Sequence, residues 1–204
     1  MTTARCTGAI IAGGSASRLG GVPKGLLDVG GRRMVDRVAD ALRAGCDDLL
    51  MVANADDAAT WVTDARLTRD VRPGLGALGG IHAALLASEG DVVVVAWDMP
   101  FVPAALVRAL RAASDGVDAV VPARAGSRWE VEPLCAWYGR SCLAPIERAI
   151  DAGDMRAGAW LEGVHVVRLE TAAMRAIGEP ATMLFDVDTA DELAAARTMA
   201  GRAA

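Results

Sequence analysis

Gly8-Ala9-Ile10-Ile11-Ala12-Gly13-Gly14-Ser15-Ala16-Ser17-Arg18-Leu19-Gly20-Gly21-Val22-Pro23-Lys24 is the stretch on which the reading of this chain turns. An apolar run empties into a glycine-rich loop that carries one arginine and one lysine. Glycines let a backbone approach a ligand closely and turn its N–H groups inward. Arg18 and Lys24 add fixed positive charge where a chain of phosphates would lie. Alone, such a loop is more readily a flexible turn with two solvated cations. Here it follows a buried-looking strand and leads toward a helix, which is the context of phosphate binding. The loop is not a Walker loop, because Lys24 is followed by Gly25 rather than by Ser or Thr.

Outward from this loop, apolar runs alternate with helical patterns. Strands are expected at Thr7 to Ala12, Leu49 to Ala53 and Asp91 to Trp97, with a short extended piece near Leu67 to Val71. Four consecutive valines, Val92 to Val95, suit a central parallel strand buried on both faces. Later strands are expected at Asp118 to Pro122, Glu132 to Tyr138, Val164 to Leu169 and Met183 to Val187. Met34, Val35, Val38 and Leu42 share one face of a helix that ends near Gly45. Further helices are expected at Ala58 to Ala65, Ile81 to Ser88, Pro103 to Ala113 and Cys142 to Ala152. Thr189-Ala190-Asp191-Glu192 is a capping box that opens a last helix, to about Met199. This alternation predicts an α/β fold, a three-layer α/β/α sandwich with a Rossmann-like, mostly parallel sheet. Ligands of such sheets bind beyond the carboxyl ends of the strands, where Gly13, Asn54, Asp98 and Asp188 are expected. With no linker or repeat in 204 residues, one domain spanning 1–204 is expected.

Composition narrows the function. The net charge of −5 leaves no basic field for nucleic acid or an anionic membrane. No apolar stretch reaches the roughly 18 residues that a spanning helix requires. The N-terminal residues lack the apolar core of a signal peptide. Cys6, Cys46, Cys135 and Cys142 form no Cys-x-x-Cys pair, and with only His82 and His165 beside them a zinc site is not expected. They read as small buried hydrophobes in a reducing cytoplasm. The protein is expected to be a monomer or a weak homo-oligomer.

Asp98-Met99-Pro100-Phe101 directly follows the valine strand. A carboxylate there can hold Mg²⁺, a hard cation that takes few protein carboxylates and completes its shell with phosphates. It can equally be a turn residue before Pro100. Asp186 and Asp188 form a second acidic site, and strand alternation would point both into one cleft. Gly74-x-Gly76-x-x-Gly79 formally matches a dinucleotide loop, which would make the chain an oxidoreductase. Against this, Arg69-Asp70-Val71-Arg72-Pro73 is a charged, proline-ended approach, and the loop comes third along the chain rather than first. His82 and the tryptophans Trp97, Trp129, Trp137 and Trp160 are expected to be structural.

The first loop, with Ala-x-x-Ala-Gly-Gly-x-Ser-x-Arg-x-Gly and the lysine at 24, closely resembles the opening of the nucleotidyltransferases. Its continuation Gly25-Leu26-Leu27-Asp28-Val29-Gly30-Gly31 resembles the molybdenum cofactor guanylyltransferase branch. The resemblance runs from Gly8 to Leu193 and implies the fold of nucleotide-diphospho-sugar transferases. It implies a Mg²⁺-dependent transfer of GMP from GTP to the phosphate of a molybdopterin-type cofactor, with release of pyrophosphate. Arg18, Lys24 and Asp98 would be catalytic. Ala12, Gly13, Gly14, Lys24, Asn54, Asp70 and Gly79 would bind the nucleotide. Asp98 and Asp188 would hold the metal. Glu132, from Glu132-Pro133-Leu134, and Asp186 would lie on the acceptor side, with Arg128 and Arg156 near the acceptor's charge. The branch usually has Phe-x-Asn-x-Asn-Thr-Pro-Glu-Asp-Leu where this chain has Phe185-Asp186-Val187-Asp188-Thr189-Ala190-Asp191-Glu192-Leu193. The aspartates resemble cytidylyl-type relatives, so the alternative is a cytidylyltransferase using CTP, or another NTP transferase acting on a different phosphorylated acceptor. A protein that only binds nucleotide is the third reading, and it would not need Arg18, Lys24 and Asp98 together.

Overall fold

The computed structural model describes residues 5–13, 18–72, 74–127 and 130–202. Its centre is a seven-stranded sheet. The strands, in chain order, are β1 (Cys6–Ala12), β4 (Asp48–Ala53), β5 (Arg66–Thr68), β6 (Asp91–Ala96), β7 (Ala119–Pro122), β8 (Cys135–Tyr138) and β9 (Val166–Leu169). Two further strands, β2 (Arg18–Leu19) and β3 (Val22–Pro23), form a hairpin beside it. The sheet order is β5-β4-β1-β6-β8-β7-β9. β8 alone runs antiparallel to its neighbours; the other pairs are parallel.

Alternation along the strands builds two cores. Ile10, Met51, Val93, Val95 and Trp137 face α1 (Met34–Arg43) and α3 (Ala104–Ala112). Ile11, Leu50, Val92, Val94 and Tyr138 face α2 (Gly76–Leu86) and α4 (Leu143–Asp151). Strand β6 is therefore apolar on both faces, as a central strand must be. After β9 come two short helices, α5 (Thr171–Arg175) and α6 (Pro180–Met183), and then α7 (Ala190–Arg202). A third, smaller core joins α7 to the start of α1 through Val29, Met34, Val187, Leu193, Ala196 and Ala200. No helix among the described residues is long and apolar enough to cross a membrane.

The chain leaves β1 for β4 on one side, whereas β6, the other neighbour of β1, leads on toward β7. That reversal opens a crevice beyond the carboxyl ends of β1 and β6. Gly13 lies just past the first strand and Asp98 just past the second.

Three expected elements differ. Met183 to Val187 is not a strand. Pro180 opens a one-turn helix through Met183, and Val187 then makes a single N–H···O bond to Asp98 (3.0 Å). Its apolar residues fill two different cores, Met183 and Leu184 in one and Val187 in another, which mimics alternation without a sheet. The α2 helix starts at Gly76, five residues early, so two of the dinucleotide-like glycines, Gly76 and Gly79, belong to its first turns, while Gly74 lies before it. Packing overrides their poor helix propensity: a Cβ on Gly80 would lie 2.6 Å from Ile11 Cγ2. The expected helix from Ala58 is one 3-10 turn, Ala58–Thr60.

Candidate active site

The hairpin explains the spacing between Arg18 and Lys24. Gly20 and Gly21 have φ of +61° and +85°, as a two-residue turn between right-twisted strands requires. Arg18 pairs with Pro23 across the hairpin, so its backbone lies next to that of Lys24. The side chain of Arg18 is outside the description, as are Gly14, Arg128 and Trp129. Lys24 opens a 3-10 turn, Lys24–Leu26, laid flat against Trp97. A Cβ on Gly25 would fall 2.4 Å from the Trp97 ring, so only glycine permits that approach. Trp97 is itself backed by Trp61, ring centroids 5.1 Å apart.

Lys24 and Glu132 are the buried charged residues among those described. Charged side chains are rarely buried without partners, and both have them. Lys24 Nζ lies 2.7 Å from Asp98 Oδ2 and 2.5 Å from Asp188 Oδ1. Burial works against the lysine's charge, but hydrogen bonds to Asp188 and Asp98 outweigh it, and the pKa stands above that of an ordinary lysine. Burial pushes the Asp98 carboxyl up from the usual range, with Lys24 pulling it back. Two carboxylates thus converge on one cationic centre. Asp188 is placed by the capping box: Glu192 Oε2 accepts from the N–H groups of Asp188 and Thr189, 2.8 Å each. No group of three or more His, Cys, Asp or Glu converges among the described residues. Two carboxylates suit a cation such as Mg²⁺, which leaves most of its shell to water and phosphate.

Beside this cluster lies a cavity of about 420 Å³ lined by Ala12, Gly13, Asn54, Asp70, Gly76 and Gly80, among others. Asn54 and Asp70 grip each other: Asn54 Nδ2 donates to Asp70 Oδ2 (2.8 Å), and the Asp70 N–H donates to Asn54 Oδ1 (3.0 Å). The carboxylate is thereby aimed. Gly79 lies below it, its absent Cβ 3.7 Å from Asp70 Oδ1.

Glu132 and Asp186 meet on the other side, through a residue that sequence reading missed. The Arg124 guanidinium donates to Glu132 and, at 2.7 Å, to Asp186 Oδ1. Glu132 Oε1 also accepts the Leu134 N–H (3.0 Å). Burial raises the Glu132 pKa, and Arg124 pulls it back. Asp186 and Asp188 therefore serve two clusters rather than one. The bond from Arg124 to Asp186 spans 62 residues, so no local pattern announces it. Arg156, expected near the acceptor, is held by Asp154 (2.7 Å). His82 is buried in α2, with Glu147 Oε1 3.6 Å from its Nε2. Trp97, Trp137 and Trp160 are buried in the cores.

Comparison with known proteins identifies the family. Residues 8–172 match the model of the MobA-like NTP transferase domain. The chain is 35% identical over 201 residues to the molybdenum cofactor guanylyltransferase of Desulfosudis oleivorans, covering 96% of this chain and 97% of that one. It is 34% identical over 197 residues to a probable molybdenum cofactor guanylyltransferase of Pelotomaculum thermopropionicum, covering 96% and 94%. The crystal structure of molybdopterin-guanine dinucleotide biosynthesis protein A from Archaeoglobus fulgidus superposes with a TM-score of 0.80 at 27% identity, covering 96% and 99%. The 4-diphosphocytidyl-2C-methyl-D-erythritol synthase of Anaerococcus prevotii, at 14% identity and a TM-score of 0.73, shares the fold. The chain belongs to the MobA-like NTP transferase family, whose members are nucleotidyltransferases.

Proposed function

We propose that this protein acts as a single domain that transfers GMP from GTP to the phosphate of a molybdopterin-type acceptor. The observation that carries this reading is the buried Lys24, held between Asp98 and Asp188 beside a cavity that ends in an aimed carboxylate. Guanine offers N1–H and N2–H₂ side by side, and the Asp70 carboxylate, fixed by Asn54, can accept both. The amides near Gly13 and Gly14 and the cations Arg18 and Lys24 would line the triphosphate. An acceptor phosphate oxygen attacks the α-phosphorus in line. The bond from that phosphorus to the bridging oxygen breaks, and pyrophosphate leaves with the electron pair. Such chemistry rests on positioning and charge neutralisation rather than on a covalent nucleophile. Asp98 and Asp188 would hold Mg²⁺, whose chemistry there would be neutralisation of phosphate charge. Lys24 takes up charge on the departing pyrophosphate. Glu132, Asp186 and Arg124 stand on the acceptor side. The four cysteines are free thiols, which fits a reducing cytoplasm.

The test is pyrophosphate release with Mg²⁺ and molybdenum-loaded pterin cofactor, comparing GTP, CTP, ATP and UTP. Release with GTP alone is the expected result. Release with CTP instead would assign the protein to cytidylyl transfer, in keeping with its aspartates at 186 and 188. No release with any of the four would remove the acceptor assignment.

A further inference from the structure

A second cavity, of about 310 Å³, opens between the end of β7 and the segment from Thr171 to Phe185. Its walls include Ala123, Arg124, Glu179, Pro180, Leu184 and Phe185. Pro180 and Leu184 are buried, and Phe185 is partly buried. The chain has two phenylalanines, and they meet here: Phe101 packs against Phe185 at 6.4 Å and 60°. Phe101 belongs to the Asp98-Met99-Pro100-Phe101 turn, so the aromatic wall is braced by the loop that carries the candidate metal ligand. Arg124 is fixed from behind by Glu132 and Asp186, which use two of its five N–H groups. The Glu179 carboxylate makes no hydrogen bond or ion pair with the described residues.

An aromatic face, an open carboxylate and an anchored guanidinium together complement one kind of molecule. It is a flat fused heterocycle with an amino and amide edge to donate and a carbonyl to accept. An anionic group is a poor fit, because Glu179, Asp186 and Glu132 outnumber Arg124. Phe185 and Asp188 are three residues apart, so the chain sets the wall within about 11 Å of the site of transfer. That is the reach of a fused ring system carrying a phosphate.

We propose that this cavity seats the pterin ring of the acceptor, with Glu179 taking its amino and amide N–H groups, Phe185 its face and Arg124 its carbonyl. The proposal rests on the guanylyl-transfer reading for the identity of the acceptor, yet it can fail separately. The experiment titrates 6-hydroxymethylpterin, a fluorescent probe without phosphate or metal, with the full-length protein in the absence of nucleotide. Saturable quenching is expected. Glu179→Gln and Phe185→Leu should each weaken it tenfold or more while leaving the affinity for a fluorescent GTP analogue unchanged. Unaltered pterin affinity in Glu179→Gln, absence of saturation up to millimolar protein, or displacement of the probe by GTP would each overturn the proposal. If the pterin binds as expected but no NTP releases pyrophosphate, the transfer reading falls and the pocket stands. If GTP transfer proceeds but the probe does not bind, the pocket assignment alone falls.

Discussion

At the residue scale, Lys24 does two things that can be separated. It neutralises two carboxylates at rest, and in the proposed reaction it would take phosphate charge. Lys24→Ala should lower turnover by about a hundredfold or more, the usual cost of removing a donor aimed at developing charge. The loss of turnover should exceed the loss of stability. A chemical-denaturation midpoint that falls while turnover holds would reduce Lys24 to a structural ion-pair partner. Asp188 is the natural comparison. Asp188→Asn keeps the shape and an acceptor for Lys24 but drops a negative charge. The Mg²⁺ concentration needed for half-maximal activity should rise several-fold. An unchanged Mg²⁺ dependence would leave Asp188 as an anchor for Lys24 and nothing more. Lys24 was legible in the sequence because its loop has a fixed local spacing. Arg124 was not, because its meaning comes from Glu132 and Asp186, brought to it by the fold.

At the scale of elements, the turn that carries Lys24 depends on a contact made by its neighbour. Gly25→Ala would drive a methyl group into the Trp97 ring, and either the ring or the turn must move. Overpacking of this kind costs about 1–3 kcal/mol. Tryptophan fluorescence should shift, the thermal midpoint should drop and activity should fall with it. Wild-type activity and emission would mean that the turn is free to lift. The elements that the sequence made plain are β1 and β6, as short continuous apolar runs, and the amphipathic α1 and α3. The capping box at Thr189 was also plain, and Glu192 closes it as expected. The segment from Met183 to Val187 misled, since its apolar residues serve two cores that only the assembled molecule defines. The early start of α2 was hidden for the converse reason. Its glycines look like loop in sequence, and Gly80 is helical where Ile11 of β1 leaves no room for a side chain.

At the scale of the whole molecule, carboxylates tie its segments together, and they set its response to acid. Asp118 accepts from Ser141 Oγ (2.5 Å) and from the His165 N–H (2.9 Å), and these bonds hold its pKa below the usual carboxylate range. Asp47, through the Cys6 N–H, and Asp40, through Arg32, are lowered likewise. A group whose folded pKa is depressed contributes fully above its unfolded value, near 4, and loses that contribution as pH falls through the folded value. Stability should therefore decline below about pH 4 on this account. Asp118→Asn should lower the melting temperature at pH 7, and the gap from wild type should narrow by pH 3. A gap of constant size would show that the aspartate's charge is not what Asp118 contributes. The bond from Lys24 to Asp188 has a different kind of consequence. It joins positions 164 residues apart in the chain. The ribosome makes the lysine early and its second carboxylate late, so this ion-paired centre closes only when most of the protein has been translated.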